Sequence, residues 1–183
     1  MEFEQVVRGR RSVRDYLPAP VPRATLEHLI EIATQAPSAM NQQPWAFAVI
    51  TGPARIEEYA QRARQWMLAQ PVVSGAARAL LEQAGYSVFH RAPALILVLA
   101  SASSSQAYED CCLAAQTLML AAREAELGSC WIGLSRPWLE LPQTQALIGI
   151  APGYHVVAPI VLGTPAQWPP AHGRFVPNVF WLD

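Results

Sequence analysis

The chain has 183 residues, 52% of them hydrophobic and 15% charged, and its formal net charge is −1. That length supplies one full core rather than two independent ones, so residues 1–183 read as a single domain, and the apolar excess favours surface hidden against a partner subunit. Near-neutral charge without a long basic run lacks the electrostatic footprint of a nucleic-acid binder.

Glu2 and Glu4 stand where a signal peptide would need basic residues, which points to a cytoplasmic protein. Residues 2 to 9 read as a first helix with Phe3, Val6 and Val7 on one side. It runs into Arg8-Gly9-Arg10-Arg11-Ser12-Val13-Arg14, where repulsion between guanidiniums needs an anion or water to screen it. Arginine forks, a hydroxyl and nearby amides are the groups that hold a phosphate; an ordinary solvated basic turn is the other reading of this segment. Pro18, Pro20 and Pro22 stiffen a linker. From Arg23 to Ala36, Leu26, Leu29, Ile30 and Ala33 share one face of a helix that stops ahead of Pro37. The loop from Ala36 to Trp45 is pinned by Pro37 and Pro44 and carries amide side chains, a cheap way to present hydrogen-bonding groups. Trp45 to Thr51 reads as a strand.

Arg55 to Leu68 looks helical, with Glu58 and Arg62 spaced as an ion pair, and Ala76 to Ala84 looks like a further helix. Trp66, Met67, Tyr86 and Phe89 suit core packing, with a substrate pocket as the alternative. Ala94 to Ala100 shows no polar alternation and reads as a central strand covered on both faces; the apolar run it lies in is far below the ~20 residues needed to span a bilayer. Ser101 to Gln106 reads as a loop. The next helix, opening on Glu109 and Asp110, leaves only Gln116 and Thr117 polar over three turns and is expected to be buried all round, with Gly128 as its left-handed end. It aims the segment Ser129 to Leu134 inward, a good way to set main-chain N–H groups beside a cofactor. Tyr154 to Leu162 alternates as a strand in which Pro159 suggests an edge or a bulge. The tail mixes Pro165, Pro169, Pro170 and Pro177 with Trp168, Phe175, Phe180 and Trp181, too aromatic for disorder and suited to an arm lying on another surface. Three cysteines without C-x-x-C spacing and four scattered histidines indicate no metal site.

In these segments the chain resembles the FMN-dependent nitroreductase family, and four of them carry the likeness: Arg10-Arg11-Ser12-Val13-Arg14, the loop Ala36 to Trp45, the run Asp110 to Gly133, and Gly163-Thr164-Pro165 followed by Arg174. The resemblance implies an α+β fold with a mostly antiparallel central sheet flanked by helices, intertwined as a homodimer with flavin at the interface. It assigns Arg10, Arg11, Ser12 and Arg14 to the FMN phosphate and pyrimidine edge, and Arg174 to closing on the same phosphate. Pro37, Ser38 and Ala39, with Asn41 and Gln43, match the loop that contacts flavin from the other subunit. Trp131, Ile132, Gly133 and Leu134 match the segment beside the flavin ring, with the Gly133 N–H toward N5. Ala39 and Glu126 stand where the family often has glycine, Thr117 where it often has asparagine, and Pro159 interrupts a strand usually free of proline.

The function this implies is an oxidoreductase passing reducing equivalents from NAD(P)H through FMN to a nitroaromatic, quinone or similar small acceptor, by a ping-pong mechanism. No G-x-G-x-x-G follows a strand, so a dedicated nicotinamide site of Rossmann type is absent. A dehalogenating or flavin-consuming member of the family and a non-catalytic flavin-binding dimer are the alternatives. A cysteine hydrolase built on Cys130 lacks both its usual loop and an identifiable base.

Overall fold

Strands β1 (Trp45–Thr51) and β2 (Ala94–Ala100) pair antiparallel from Trp45 opposite Ala100 to Thr51 opposite Ala94, the residues the apolar runs indicated. They belong to a computed structural model that describes residues 1–182. Two further strands, β3 (Gly128–Trp131) and β4 (His155–Gly163), complete an antiparallel sheet in the order β1-β2-β4-β3. Helices cover both faces, so the architecture is α+β. On one face lie α3 (Pro53–Leu68), α4 (Gly75–Glu82) and the short α6 (Arg136–Leu139), followed by α7 (Pro142–Ile148). On the other lie α2 (Arg23–Ala33) and α5 (Ser105–Glu124), with α1 (Phe3–Gly9) against α5.

β2 shows why a strand without polar alternation must be central. Leu95, Leu97 and Leu99 pack toward α3, and Ala94, Ile96, Val98 and Ala100 toward α2 and α5. Each fully buried leucine or isoleucine there stabilises the fold by roughly 2 kcal/mol. β4 is likewise interior, so Pro159 does not mark an edge. The irregularity falls two residues earlier: Val98 faces Ala158 but Leu99 faces Val156, leaving Val157 as an extra residue on the same face as Ala158. Pro159 has a different effect. Its carbonyl accepts from the Ile132 N–H at 2.8 Å, but it has no N–H to return the bond, and the β3 ladder stops. The freed Ile132 carbonyl accepts instead from the Ser135 N–H at 3.1 Å and the Ser135 hydroxyl at 2.8 Å, turning the chain into a 3-10 turn, Gly133–Ser135.

Helix limits differ from the sequence reading: α3 starts at Pro53 rather than Arg55, α4 runs Gly75–Glu82 rather than Ala76–Ala84, and larger differences fall at α2 and α5. α2 ends at Ala33 rather than Ala36, because Thr34 closes it and its hydroxyl bonds back to Glu31. α5 begins at Ser105 rather than at Glu109, since the Ser104 hydroxyl caps it by accepting from Ala107 N–H at 3.1 Å. Glu126 at φ 59, not Gly128, is the left-handed residue after α5. Gly128 already belongs to β3, where a Cβ would stand 2.8 Å from Val13. Nor is α5 buried all round: Ala114, Ala115, Leu118 and Ala122 are enclosed, but Leu113 is 46% exposed and Cys112 and Gln116 are open as well. On α1 only Val6 of the expected apolar side is buried, and Phe3 and Val7 join that open face.

Candidate functional site

α1 ends at Gly9, and the chain leaves it extended through Arg10, whose N–H still bonds Val6 O. Ser12 then runs alongside Ser129 of β3 as a parallel bridge, with Val13 N–H donating to the Ser129 carbonyl at 3.0 Å. Val13 is fully buried in the space Gly128 leaves open, so it anchors the segment while Ser12 and Arg14 stay exposed. The side chains around it enclose a cavity of about 520 Å³ lined by Arg10, Arg11, Ser12, Arg14 and Asp15 on one side and by Gln167, His172 and Arg174 of the tail on the other. Among the described residues none of these four arginines has a carboxylate within ion-pair distance, Asp15 included. Arg11 is partly engaged: its Nη1 donates to the carbonyls of Arg8 and Arg10 at 2.7 and 2.8 Å, while its buried Nε has no acceptor.

Arg14 also faces a buried thiol and a half-buried phenol and imidazole. Burial pushes the Cys130 thiol up, and Arg14 beside it pulls the other way. Burial likewise raises Tyr16, whose hydroxyl donates to Val13 O at 2.7 Å. His90 is lowered to about 4 by burial and then by Arg14. This part of the site holds neutral thiol, phenol and imidazole beside the Arg14 guanidinium.

The amide-bearing loop lies elsewhere. Ala39–Asn41 form a 3-10 turn, and Met40, Asn41 and Gln43 all adopt left-handed backbone, at φ 51, 53 and 48. Such conformations cost roughly 1 kcal/mol or more per non-glycine residue, so the loop needs holding. Asp110, only 4% exposed, holds it from α5: both carboxylate oxygens accept from Ala39 N–H, at 3.2 and 3.3 Å. Ser38 Oγ accepts from Gln43 N–H at 3.0 Å, and Gln43 Nε2 donates to Asn41 Oδ1 at 3.1 Å. Pro37, Asn41 and Gln43 are exposed, and Ser38 and Ala39 half-buried. Arg123, near the other end of α5, abuts Gly9 just before the arginine segment. It is about 13 residues from Asp110, or ~20 Å at the helical rise. Within one chain, loop and arginines are therefore not brought together.

The third segment follows β3. Trp131 and Leu134 are half-buried and Ile132 buried, while Gly133 is exposed with nothing but the Trp131 ring edge, at 4.0 Å, near a notional Cβ. As first residue of its 3-10 turn, Gly133 has no partner for its N–H within that turn. Arg123 and Gln167 were not singled out from the sequence; Asp110 was read there only as a helix start, Trp168 only as one aromatic of the tail, and His172 only as one of four scattered histidines. Their importance comes from contacts between distant segments, and no local pattern carries it.

A family model described as the Nitroreductase family matches residues 7–164. A 4-nitrobenzoate reductase of Pseudomonas putida is 27% identical over 193 aligned positions, covering 84% of this chain and 85% of that protein. A nitroreductase of Bacteroides fragilis solved with bound FMN has the same fold at TM-score 0.86 and 23% identity, over 100% of both chains. An oxidised iodotyrosine deiodinase solved with FMN and 3-iodo-L-tyrosine is similar at TM-score 0.77 and 22% identity, over 99% of each chain.

Proposed function

The chain belongs to the Nitroreductase family, and from that premise we propose that it binds FMN and passes reducing equivalents from NAD(P)H to a small electron acceptor. The observation that carries this reading is the cavity walled by Arg10, Arg11, Arg14 and Arg174, none of them ion-paired within the described chain. Unpaired guanidiniums around one hollow repel one another, and a phosphate bearing two charges relieves that repulsion. Arg10, Ser12 and Arg174 would hold the phosphate, with Arg11 adding positive charge to the same wall, and Arg14 would take the pyrimidine edge. Bound flavin supplies the hydride chemistry, which protein side chains cannot. Gly133 would offer its free N–H to the ring, and Trp131, Ile132 and Leu134 would wall that side. One cleft serving reductant and acceptor in turn gives ping-pong kinetics.

The loop with Pro37, Ser38, Ala39, Asn41 and Gln43 would serve the flavin of a second copy, because its own chain holds it at the far end of α5 from the arginines. A homodimer also covers the open apolar face of Phe3, Val7 and Leu113.

Purified protein should be yellow or take up one FMN per chain. NADH or NADPH should bleach the bound flavin, and a quinone or nitroaromatic should restore the colour; bound flavin that neither nucleotide reduces would sink the nitroreductase assignment. Arg10→Ala with Ser12→Ala should abolish FMN retention and leave the folded protein intact. The likeness to the deiodinase favours a second reading, reductive dehalogenation. Release of halide from a halogenated phenol by dithionite-reduced protein, with slow nitroaromatic turnover, would favour that reading over the first.

A further inference from the structure

After β4 the tail is clipped to its own chain before it reaches the cavity. Leu17 N–H donates to Thr164 O at 2.9 Å and Ala166 N–H to Asp15 O at 3.1 Å, around the antiparallel bridge of Tyr16 and Pro165. A second clip follows at Trp168, where the Arg123 guanidinium carbon lies 4.0 Å over the ring centroid. Arg123 has little else: its Nε is buried without an acceptor, and no carboxylate stands within ion-pair distance among the described residues. Gly9 makes room for it, since a Cβ there would lie 3.0 Å from that Nε. The indole face is the electron-rich group that compensates this half-buried cation.

Trp168 is 38% exposed, against 99%, 84% and 83% for Phe175, Phe180 and Trp181, so the tail leaves the surface beyond it. Between these points Pro169 and Pro170 restrict the backbone, and His172 and Arg174 hang over the cavity. The Arg174 guanidinium bonds only to carbonyls of its own neighbours, His172 and Gly173, both at 3.4 Å. Among the described residues nothing else holds it, so its position is inherited from the clip upstream.

We propose that Trp168 stacked on Arg123 is a latch that sets Arg174 over the phosphate end of the flavin cavity, which makes Trp168 a positioning residue for a site it does not line. The proposal rests on the FMN reading above. A latch of this kind acts on the phosphate alone and leaves the ring-binding groups untouched. Trp168→Ala should therefore weaken FMN roughly tenfold, the strength of one partly exposed cation–π contact, and leave riboflavin, which has no phosphate, unchanged. Trp168→Phe keeps an aromatic face and should restore most of the difference. Because the latch works through Arg174, Trp168→Ala combined with Arg174→Ala should bind FMN no more weakly than Arg174→Ala alone.

Flavin fluorescence titration reads all of these affinities. Equal losses for FMN and riboflavin, additive losses in the double variant, or a Trp168→Ala protein that holds FMN as the parent does would each overturn the latch while leaving the FMN assignment standing. A parent protein that takes up no FMN would remove both.

Discussion

A methyl group added at residue 128 would meet the Val13 side chain at 2.8 Å, and one at residue 163, directly across the ladder, would meet the Pro93 ring at 2.6 Å. Both neighbours are rigid, so these two glycines are required by close approach. Gly128→Ala should cost about 1–3 kcal/mol by overpacking and, by displacing Val13, also weaken FMN binding. Urea midpoints together with FMN titration check both effects. Asp110 presents the opposite case, a buried carboxylate kept for one backbone contact. Asp110→Ala should lose about 2 kcal/mol and speed amide exchange across Met40 to Gln43, whereas Asp110→Asn, which keeps an acceptor, should lose less. His90 gives the pH dependence. The unfolded chain binds a proton near the ordinary 6.5 and the folded protein only near about 4. Its contribution is therefore whole above 6.5 and is lost as pH falls toward 4. Replacing His90 by Gln should flatten that part of the stability profile, measured as the difference in urea midpoint between the two proteins at about pH 7.5 and about pH 5.

α5 acts as a ruler between the two segments proposed to hold flavin. Its 20 residues span about 30 Å, with Asp110 bracing the loop near one end and Arg123 bracing the tail near the other. The amphipathic face of α2 and the uninterrupted strand β2 were legible because burial on one face or two is written directly into residue spacing. The start of α5 was not, since Ser104 and Ser105 suit a loop as well as a cap. The effect of Pro159 was also hidden: a missing donor shows in sequence, but which neighbour it fails depends on register. Here the loss falls on Ile132, and Ser135 takes over its carbonyl. Ser135→Ala should remove about 1 kcal/mol, seen as a lower thermal midpoint, and loosen the turn that carries Gly133.

At the scale of the whole molecule, a flavin held by the arginines of one chain and the loop of another predicts complementation. Mixing an Arg10→Ala, Ser12→Ala chain with one whose Asn41 and Gln43 are replaced by alanine should recover about a quarter of the parental FMN sites, all in mixed dimers. No recovery on unfolding and refolding the two together would place each site within a single chain. If the proposed dimer forms through this face, Leu113→Glu on the open side of α5 should shift sedimentation from dimer to monomer and release FMN with it. Residue types and their spacing were enough to determine β1, β2 and β4, the apolar face of α2, the arginine segment and the likeness that points to flavin, because each is a property of neighbours along the chain. The Val157 bulge, the brace from Asp110 to Ala39 and the stacking of Arg123 on Trp168 were decided by tertiary structure alone. Each is a contact between segments far apart in the chain, so it depends on register and packing that no local window contains.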